Sequence, residues 1–211
     1  MIEIELRFAA KTMPKALLEM APAREKSRID IYYDTADYAL LRRGGFLRVR
    51  NGRRLDFKGD LSGGEIQHDY CNETNFDLDA IAEKSAEING LLGRFGIPAA
   101  GGYDGFDDMI RRNGLRVLAT IDKLRREYKI TDDLLVAIDD AKDIGLFIEA
   151  EVMAPDDAPK NQIQEIIRQI RADLAARGIL EPGSEPVNIG YVEAYLMRHN
   201  PAAYELGLYK A

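Results

Sequence analysis

Two short stretches in which apolar and charged residues alternate constrain the fold of this chain more than any other feature. The first, IEIELRF at residues 2–8, has an apolar residue at every even position and Glu or Arg at every odd one. The second, FIEAEV at residues 147–152, repeats the pattern with Glu149 and Glu151 on one face. A period of two is typical of a strand with one buried face. Both stretches are therefore predicted to be strands that carry a Glu-x-Glu pair opposite the core.

A basic segment at residues 42–58, RRGGFLRVRNGRRLDFK, has seven Lys and Arg residues against the single acid Asp56. Asn51-Gly52 is a strong turn signal between two alternating arms, so the segment is predicted to form a β-hairpin. Its apolar face has Leu, Val and Phe, and its other face collects Arg48, Arg50 and Lys58. Like charges that lie opposite each other in a hairpin are destabilising, which indicates that an anion binds there.

The rest of the chain predicts a mixture of strands and helices, and therefore an α+β fold. A strand is expected after the glycine turn at residues 62–64, ending near Glu73. Strands are also expected at 116–130 and 134–141, the first with basic residues between 123 and 129. Apolar periodicity predicts helices at 77–96, 156–178 and 191–198.

The charges are sorted by strand, acidic on residues 3–7 and 149–151 and basic on 48–58 and 123–129. Solvent-exposed faces usually mix the two signs. Sorting of this kind suits a closed sheet whose lumen binds a polyanion through Arg and Lys and a divalent cation through Glu. Helices would then cover the apolar outer faces.

Composition limits the chemistry and the partners. The single cysteine, Cys71, excludes an internal disulfide and a cysteine metal cluster, and it favours a cytoplasmic location. With only His68 and His199 available, carboxylates would have to hold any metal, which favours Mg²⁺ or Mn²⁺. The net charge of −7 argues against nucleic-acid or membrane-surface binding, and the sequence has neither a signal peptide pattern nor an apolar run of membrane-spanning length.

Several segments together resemble the CYTH superfamily, the triphosphate tunnel metalloenzymes. EIELRF at residues 3–8 is similar to the family's Glu-x-Glu-x-Lys signature, with Arg7 in the place of the Lys. The other similar segments, in the family's order, are YYDTADYALLRRGGFLRVR, Lys58 in the next strand, HDYCNET, DKLRREY and IDDAKDIGLFIEAEV. The resemblance implies one domain over residues 1–211 with a closed, eight-stranded antiparallel β-barrel that forms a tunnel, and with helices packed outside.

The resemblance also implies the site residues. Glu3, Glu5, Glu149 and Glu151 would be the catalytic metal ligands, and Asp139 and Glu73 would be further acidic ligands, with Asp140 as an alternative to Asp139. The triphosphate would be bound by Arg7, Arg48, Arg50, Lys58, Lys123 and Arg125.

The function that this resemblance favours is metal-dependent hydrolysis of a small-molecule triphosphate, inorganic or organic, such as thiamine triphosphate. Two alternatives stay open. One is a class IV adenylyl cyclase that converts ATP to cyclic AMP and pyrophosphate, and the other is a non-catalytic binder of polyphosphate or nucleotides. The cyclases compared carry extra residues before the Glu-x-Glu strand, whereas this sequence begins on it, which favours hydrolysis. The chain is expected to act as a monomer or homodimer.

Overall fold

The computed structural model describes residues 2–59, 72–132, 134–154 and 159–208, and their side chains except at positions 2, 3, 72, 153, 154 and 160. The strands are β1 (Ile2–Ala10), β2 (Arg24–Asp34), β3 (Phe46–Arg50), β4 (Arg54–Gly59), β5 (Asn72–Asp77), β6 (Arg116–Lys129), β7 (Leu135–Ala141) and β8 (Gly145–Ala154). The helices are α1 (Lys15–Leu18), α2 (Ser85–Arg94), α3 (Phe106–Arg112), α4 (Lys160–Ala176), α5 (Tyr191–His199) and α6 (Pro201–Tyr204). This is the α+β fold that the sequence predicts.

The eight strands form one antiparallel sheet in the order β1-β8-β7-β6-β2-β3-β4-β5. The end strands β1 and β5 are not paired with each other within the described residues, so the sheet is not closed into the barrel that the sequence predicted. The Val187 amide donates to the Arg7 carbonyl of β1 at 2.7 Å. A loop residue that follows α4 therefore contacts the backbone of this end strand.

The chain divides into two compact units, which are described separately below. Unit 1 comprises Met1–Ser27 and Asp122–Ile189, and unit 2 comprises Arg28–Ile121 and Gly190–Ala211. The single domain over residues 1–211 stays a prediction.

In unit 1, one face of the sheet packs against α4. Alternate residues of the strands are buried on this face, and Ile170 and Leu174 of α4 are buried with them. The strand residues of this core are Leu6, Phe8, Tyr128, Val136, Ile138, Ile148 and Ala150. Because side chains alternate along a strand, burial of these even positions turns the odd positions to the opposite face. The Glu-x-Glu pairs lie at odd positions, so the core fixes where they point.

In unit 2, the predicted hairpin is present as β3 and β4. Asn51 and Gly52 both have positive φ, 51° and 62°, which is the conformation that the Asn-Gly turn favours. The register pairs Leu47 with Phe57 and Val49 with Leu55. These side chains are buried against α2 residues Ile88, Leu91 and Leu92. The opposite face of the hairpin is left for the charged residues.

Several element predictions need correction. The helix expected from residue 77 begins at Ser85, after a 3₁₀ turn at Leu78–Ala80, and α3 was not predicted at all. The strand expected to end near Glu73 continues to Asp77, and the part before residue 72 lies outside the described residues. Across the described chain, no helix combines the length and the apolar character that a membrane span requires.

Candidate active site

Three carboxylates converge on the polar face of the unit 1 sheet: Glu5, Glu149 and Glu151, here called the carboxylate cluster. The register of β1 and β8 places Glu5 opposite Glu151 and Arg7 opposite Glu149, so all four side chains lie on one face. One oxygen from each carboxylate lies within 4.8 Å of the others. Their side chains range from 42% exposed for Glu5 to 1% for Glu149, so the cluster extends from solvent into the protein.

Arg125 of β6 forms hydrogen bonds with two members of this cluster. The register places it opposite Asp139 of β7, and the carboxylate of Asp139 accepts from its Nε and Nη2, both at 2.8 Å. The same guanidinium donates to Glu151 Oε1 at 3.2 Å and to Glu149 Oε2. Lys123 also donates to Asp139. Asp139 therefore fixes two cations beside the cluster.

Arg7 contacts the cluster from β1. Its Nε donates to Glu149 Oε1 at 2.7 Å, its Nη2 donates to Glu5 Oε1 at 2.6 Å, and its Nη1 donates to the carbonyl of Ile189 at 2.7 Å. The residue that departs from the family signature thus connects two members of the cluster to the chain segment that follows α4.

The neighbouring cations keep the buried acids ionised. Burial alone would raise the pKa of Glu149, but the positive charges of Arg7 and Arg125 outweigh it and lower the pKa below its usual value. Burial likewise acts against ionisation of Asp139, and the hydrogen bonds from Arg125 and the charge of Lys123 hold its pKa well below the usual range. Both groups are therefore carboxylates at neutral pH.

The donor set of the carboxylate cluster fits a hard divalent cation. Mg²⁺ and Mn²⁺ prefer oxygen ligands, and Mg²⁺ is usually held by one or two carboxylates with waters and substrate phosphates completing its shell. The cluster supplies carboxylates from three residues, of which Glu5 is partly exposed to solvent. No Cys or His belongs to this group of described residues, which matches the expectation of a carboxylate-bound ion.

Unit 2 has a second charged group on the polar face of β2 to β5, here called the arginine cluster. It consists of Arg48, Arg50, Arg54 and Lys58 with the acids Asp30, Asp56 and Glu73. Arg48 is nearly buried and donates to Asp56 Oδ2 from Nη2 at 2.5 Å and from Nε at 3.0 Å. Arg50 donates to Asp30 from both Nε and Nη2 at 2.9 Å. The buried arginine is thus paired rather than repelled by its neighbours.

Protonation in the arginine cluster follows from these pairs. Burial would lower the pKa of Arg48, but nearby Tyr32, Asp30 and Asp56 raise it above its ordinary value. Glu73 is desolvated, yet the hydrogen bond and charge of Lys58, 2.7 Å away, lower its pKa. Arg48 therefore stays positively charged, and the cluster is open to solvent at Lys58, which is 32% exposed.

The structure places most of the predicted site residues in two groups. It brings Glu5, Arg7, Lys123, Arg125, Asp139, Glu149 and Glu151 together in unit 1, and Arg48, Arg50, Lys58 and Glu73 together in unit 2. Asp139, and not Asp140, is the buried acid on the polar face. Glu3 lies in β1, but its side chain is outside the described residues, as are Cys71 and His68.

Sequence reasoning missed two of the three acids of the arginine cluster, Asp56 and Asp30, whereas Glu73 was predicted as an acidic site residue. Asp56 stands out only as the lone acid of a basic hairpin, and Asp30 was not singled out. The alternation RIDIYYD in β2 carries the signal, because it puts Asp30 and Tyr32 on one face, and the register places Asp30 opposite Arg50. A buried arginine on the hairpin needed a carboxylate partner, and this acid was available one strand away.

A family model decides the identity. The model for the CYTH domain matches residues 1–179, most of the chain, and both Glu-x-Glu pairs lie within the match. The chain belongs to the CYTH family. This family is metal-dependent, in agreement with the donor set of the carboxylate cluster. No curated protein matches the chain.

Solved structures share the CYTH fold at low sequence identity. PH1819 protein from Pyrococcus horikoshii OT3 is 20% identical, with a TM-score of 0.58 over 92% of this chain and 98% of that one. HpAC1 from Hippeastrum, a candidate adenylyl cyclase described as having a dominant triphosphatase activity, is 17% identical, with a TM-score of 0.58 over 92% and 94%. A candidate adenylate cyclase from Vibrio parahaemolyticus is 20% identical, with a TM-score of 0.56 over 92% and 97%. At these identities the similarity establishes the fold.

Proposed function

We propose that this CYTH protein is a metal-dependent triphosphatase that releases orthophosphate from a small-molecule triphosphate, inorganic or organic. The observation that carries the proposal is the convergence of Glu5, Glu149 and Glu151 within 4.8 Å, directly beside guanidinium groups. Carboxylates that can hold a divalent cation and arginines that can bind phosphate are the two components that phosphoryl transfer requires.

Within the site, Glu5, Glu149 and Glu151 would hold Mg²⁺ or Mn²⁺. When bound, such a cation polarises phosphate oxygens and lowers the pKa of a coordinated water. Glu3 is proposed as a further ligand from its place in the same Glu-x-Glu motif. Asp139 is instead proposed to position Arg125 and Lys123, because both of its oxygens already accept from them.

Arg125 is the best placed phosphate ligand of unit 1. Asp139 binds its Nε and Nη2 and so fixes the plane of the guanidinium, while Nη1 reaches Glu151 Oε1 at 3.2 Å. A fixed guanidinium next to the cation-binding carboxylates can stabilise negative charge that develops on phosphate oxygens during transfer, without rearranging first. Lys123 and Arg7 would add positive charge to the same oxygens. Arg48, Arg50 and Lys58 are proposed as further phosphate ligands from their excess of positive charge.

The function is tested with purified protein, Mg²⁺ or Mn²⁺, and three substrates offered separately: tripolyphosphate, thiamine triphosphate and ATP. Release of orthophosphate that stops when the metal is chelated supports the proposal, and the preferred substrate identifies the triphosphate. Pyrophosphate together with cyclic AMP from ATP would replace the proposal with a cyclase. Tight binding of tripolyphosphate with no product from any substrate would replace it with a non-catalytic binder.

A further inference from the structure

The hydrogen bonds of Arg7 place one guanidinium where a cation would bind. Two of its nitrogens donate to one oxygen each of Glu149 and Glu5, at 2.7 and 2.6 Å. Both residues belong to the group whose oxygens approach within 4.8 Å of one another. A divalent cation held by the carboxylate cluster and this guanidinium would therefore compete for the carboxylates of Glu149 and Glu5.

The third nitrogen of Arg7 is held by the main chain. Its Nη1 donates to the Ile189 carbonyl at 2.7 Å, and the Val187 amide donates to the Arg7 carbonyl at 2.7 Å. The guanidinium thus has an anchor that does not depend on the carboxylates. A lysine ammonium carries its three N–H donors on one nitrogen, so it could not reproduce the planar arrangement in which three nitrogens of Arg7 each donate to a separate acceptor.

The charge balance of the carboxylate cluster explains why a guanidinium at this position stabilises the protein. The carboxylates of Glu149 and Asp139 are buried, and buried carboxylates that lack a counter-charge are strongly destabilising. Glu149 accepts from Arg7 through one oxygen and from Arg125 through the other. In the absence of a metal, the two arginines supply the positive charge that the cluster requires.

We propose that Arg7 is a resident counter-cation, which suppresses metal binding by the carboxylate cluster until a polyanion draws its guanidinium away. This inference rests on the proposed function, because it assigns the carboxylate cluster to a metal and the polyanion to the substrate. Cation and polyanion then bind with positive coupling: the anion accepts the hydrogen bonds of Arg7, and the carboxylates that it leaves become available to the metal. Coupling of this kind is reciprocal between the two ligands.

The test compares wild-type protein with Arg7→Gln in two binding measurements that need no turnover. The affinity for Mn²⁺ alone, measured by electron paramagnetic resonance of free Mn²⁺, should rise by about tenfold or more in Arg7→Gln, because a unit positive charge is removed from the immediate surroundings of the ion. The affinity for tripolyphosphate in the presence of EDTA should fall in the same variant. Arg7→Lys, which keeps the charge, should lie close to wild type in Mn²⁺ affinity.

The matched control is Arg126→Gln, which removes a positive charge of β6 whose partner is the exposed Glu25 and not the carboxylate cluster. It should leave Mn²⁺ affinity unchanged. Mn²⁺ affinity in Arg7→Gln that is equal to or weaker than that of wild type would overturn the proposal.

A measurement on the wild-type chain covers the possibility that Arg7→Gln does not fold. The Nε–H resonance of Arg7, assigned by its loss in Arg7→Lys, should shift when Mg²⁺ and tripolyphosphate are added together, because the bond to Glu149 is given up. An Nε–H resonance that is unchanged under saturating ligands would refute the displacement.

The outcomes separate this inference from the proposed function. Wild-type hydrolysis with no gain of Mn²⁺ affinity in Arg7→Gln would remove the counter-cation role and leave the triphosphatase. Tighter Mn²⁺ binding in Arg7→Gln with no turnover by wild type would support the counter-cation role and remove the triphosphatase.

Discussion

The carboxylate cluster and the arginine cluster are built in the same way, by alternation on paired strands, but they differ in the sign of their excess charge. Among the described side chains, unit 1 groups four carboxylates with three cations: Glu5, Asp139, Glu149 and Glu151 with Arg7, Lys123 and Arg125. Unit 2 groups four cations with three carboxylates: Arg48, Arg50, Arg54 and Lys58 with Asp30, Asp56 and Glu73. The first excess suits a cation and the second an anion.

The comparison also shows how charged residues remain in the interior of each unit. Arg48 and Glu149 are both buried, and each has at least two partners of opposite sign. A buried charge that loses its partner is costly, whereas the pair itself adds little stability. The networks therefore balance the charges that lie in the interior of each unit.

The largest effect is expected from Glu149→Gln, which tests whether the excess of carboxylates in unit 1 serves to bind a cation. Loss of a ligand charge from the carboxylate cluster should lower phosphate release by about 100- to 1,000-fold and weaken Mn²⁺ binding, while tripolyphosphate binding in EDTA persists. Glu165→Gln, which changes an exposed acid on α4 in the same unit, is the control and should behave as wild type. Equal activity in Glu149→Gln would remove the metal assignment.

The second effect concerns stability in unit 2. Arg48→Met should lower the free energy of unfolding by about 3 kcal/mol, measured by urea denaturation, because the carboxylate of Asp56 stays buried with Arg54 as its remaining partner. Arg126→Met breaks an ion pair with the half-exposed Glu25 and should cost less than about 1 kcal/mol. Similar losses in the two variants would mean that Arg48 is not the charge that balances Asp56.

A smaller effect is expected from Lys58→Met, which tests whether the excess of positive charge in unit 2 serves to bind an anion. Removal of this solvent-accessible cation should weaken tripolyphosphate binding in EDTA by about tenfold, with the difference shrinking as salt is added. Mn²⁺ affinity should not change. Lys84→Met, at the residue that precedes α2 and pairs with the exposed Glu87, is the matched control. Weaker Mn²⁺ binding in Lys58→Met would contradict the assignment of cation binding to the carboxylate cluster and anion binding to the arginine cluster.

The smallest effect is a pH dependence of stability in unit 1. The pKa of Asp139 is lower in the folded chain than its ordinary value of 3.8, so the unfolded state binds the proton more readily. The stabilisation by its ionised form is complete above the unfolded value and is lost as pH falls below it towards the folded value. The stability advantage of wild type over Asp139→Asn should therefore be about 1 kcal/mol smaller at pH 3 than at pH 7. The free energies of unfolding are measured by urea denaturation, and a difference between wild type and Asp139→Asn that is the same at both pH values would contradict this prediction.

The sequence predicted the parts of the fold that follow from local alternation and turn chemistry. The period-two pattern of EIELRF and FIEAEV gave strands β1 and β8, and Asn51-Gly52 gave the β3–β4 hairpin, because these signals depend only on neighbouring residues. The helix α3 was missed because it is a single short segment after a glycine-rich break. Closure of the sheet was wrong, since β1 and β5 are not paired within the described residues, and no local pattern specifies which strands pair at the ends of a sheet.

The same distinction applies to the site. Residue types and faces could be read from the alternation, which is why the carboxylates and arginines of unit 1 were named. Their pairing could not, because it depends on strand register: Asp139 lies opposite Arg125, and Asp56 lies opposite Arg48. The contact of Arg7 with Ile189 joins residues far apart in the chain, and no local sequence pattern predicts it.

The hydrogen bond between Val187 and Arg7 has one more consequence. An end strand of a sheet displays backbone groups that can recruit a strand from another molecule and start aggregation. The Val187 amide donates to one backbone carbonyl of β1, yet it lies beyond residue 179, where the match to the family model ends. A residue that follows the family domain therefore satisfies the Arg7 carbonyl, which leaves one group fewer for a strand from another molecule.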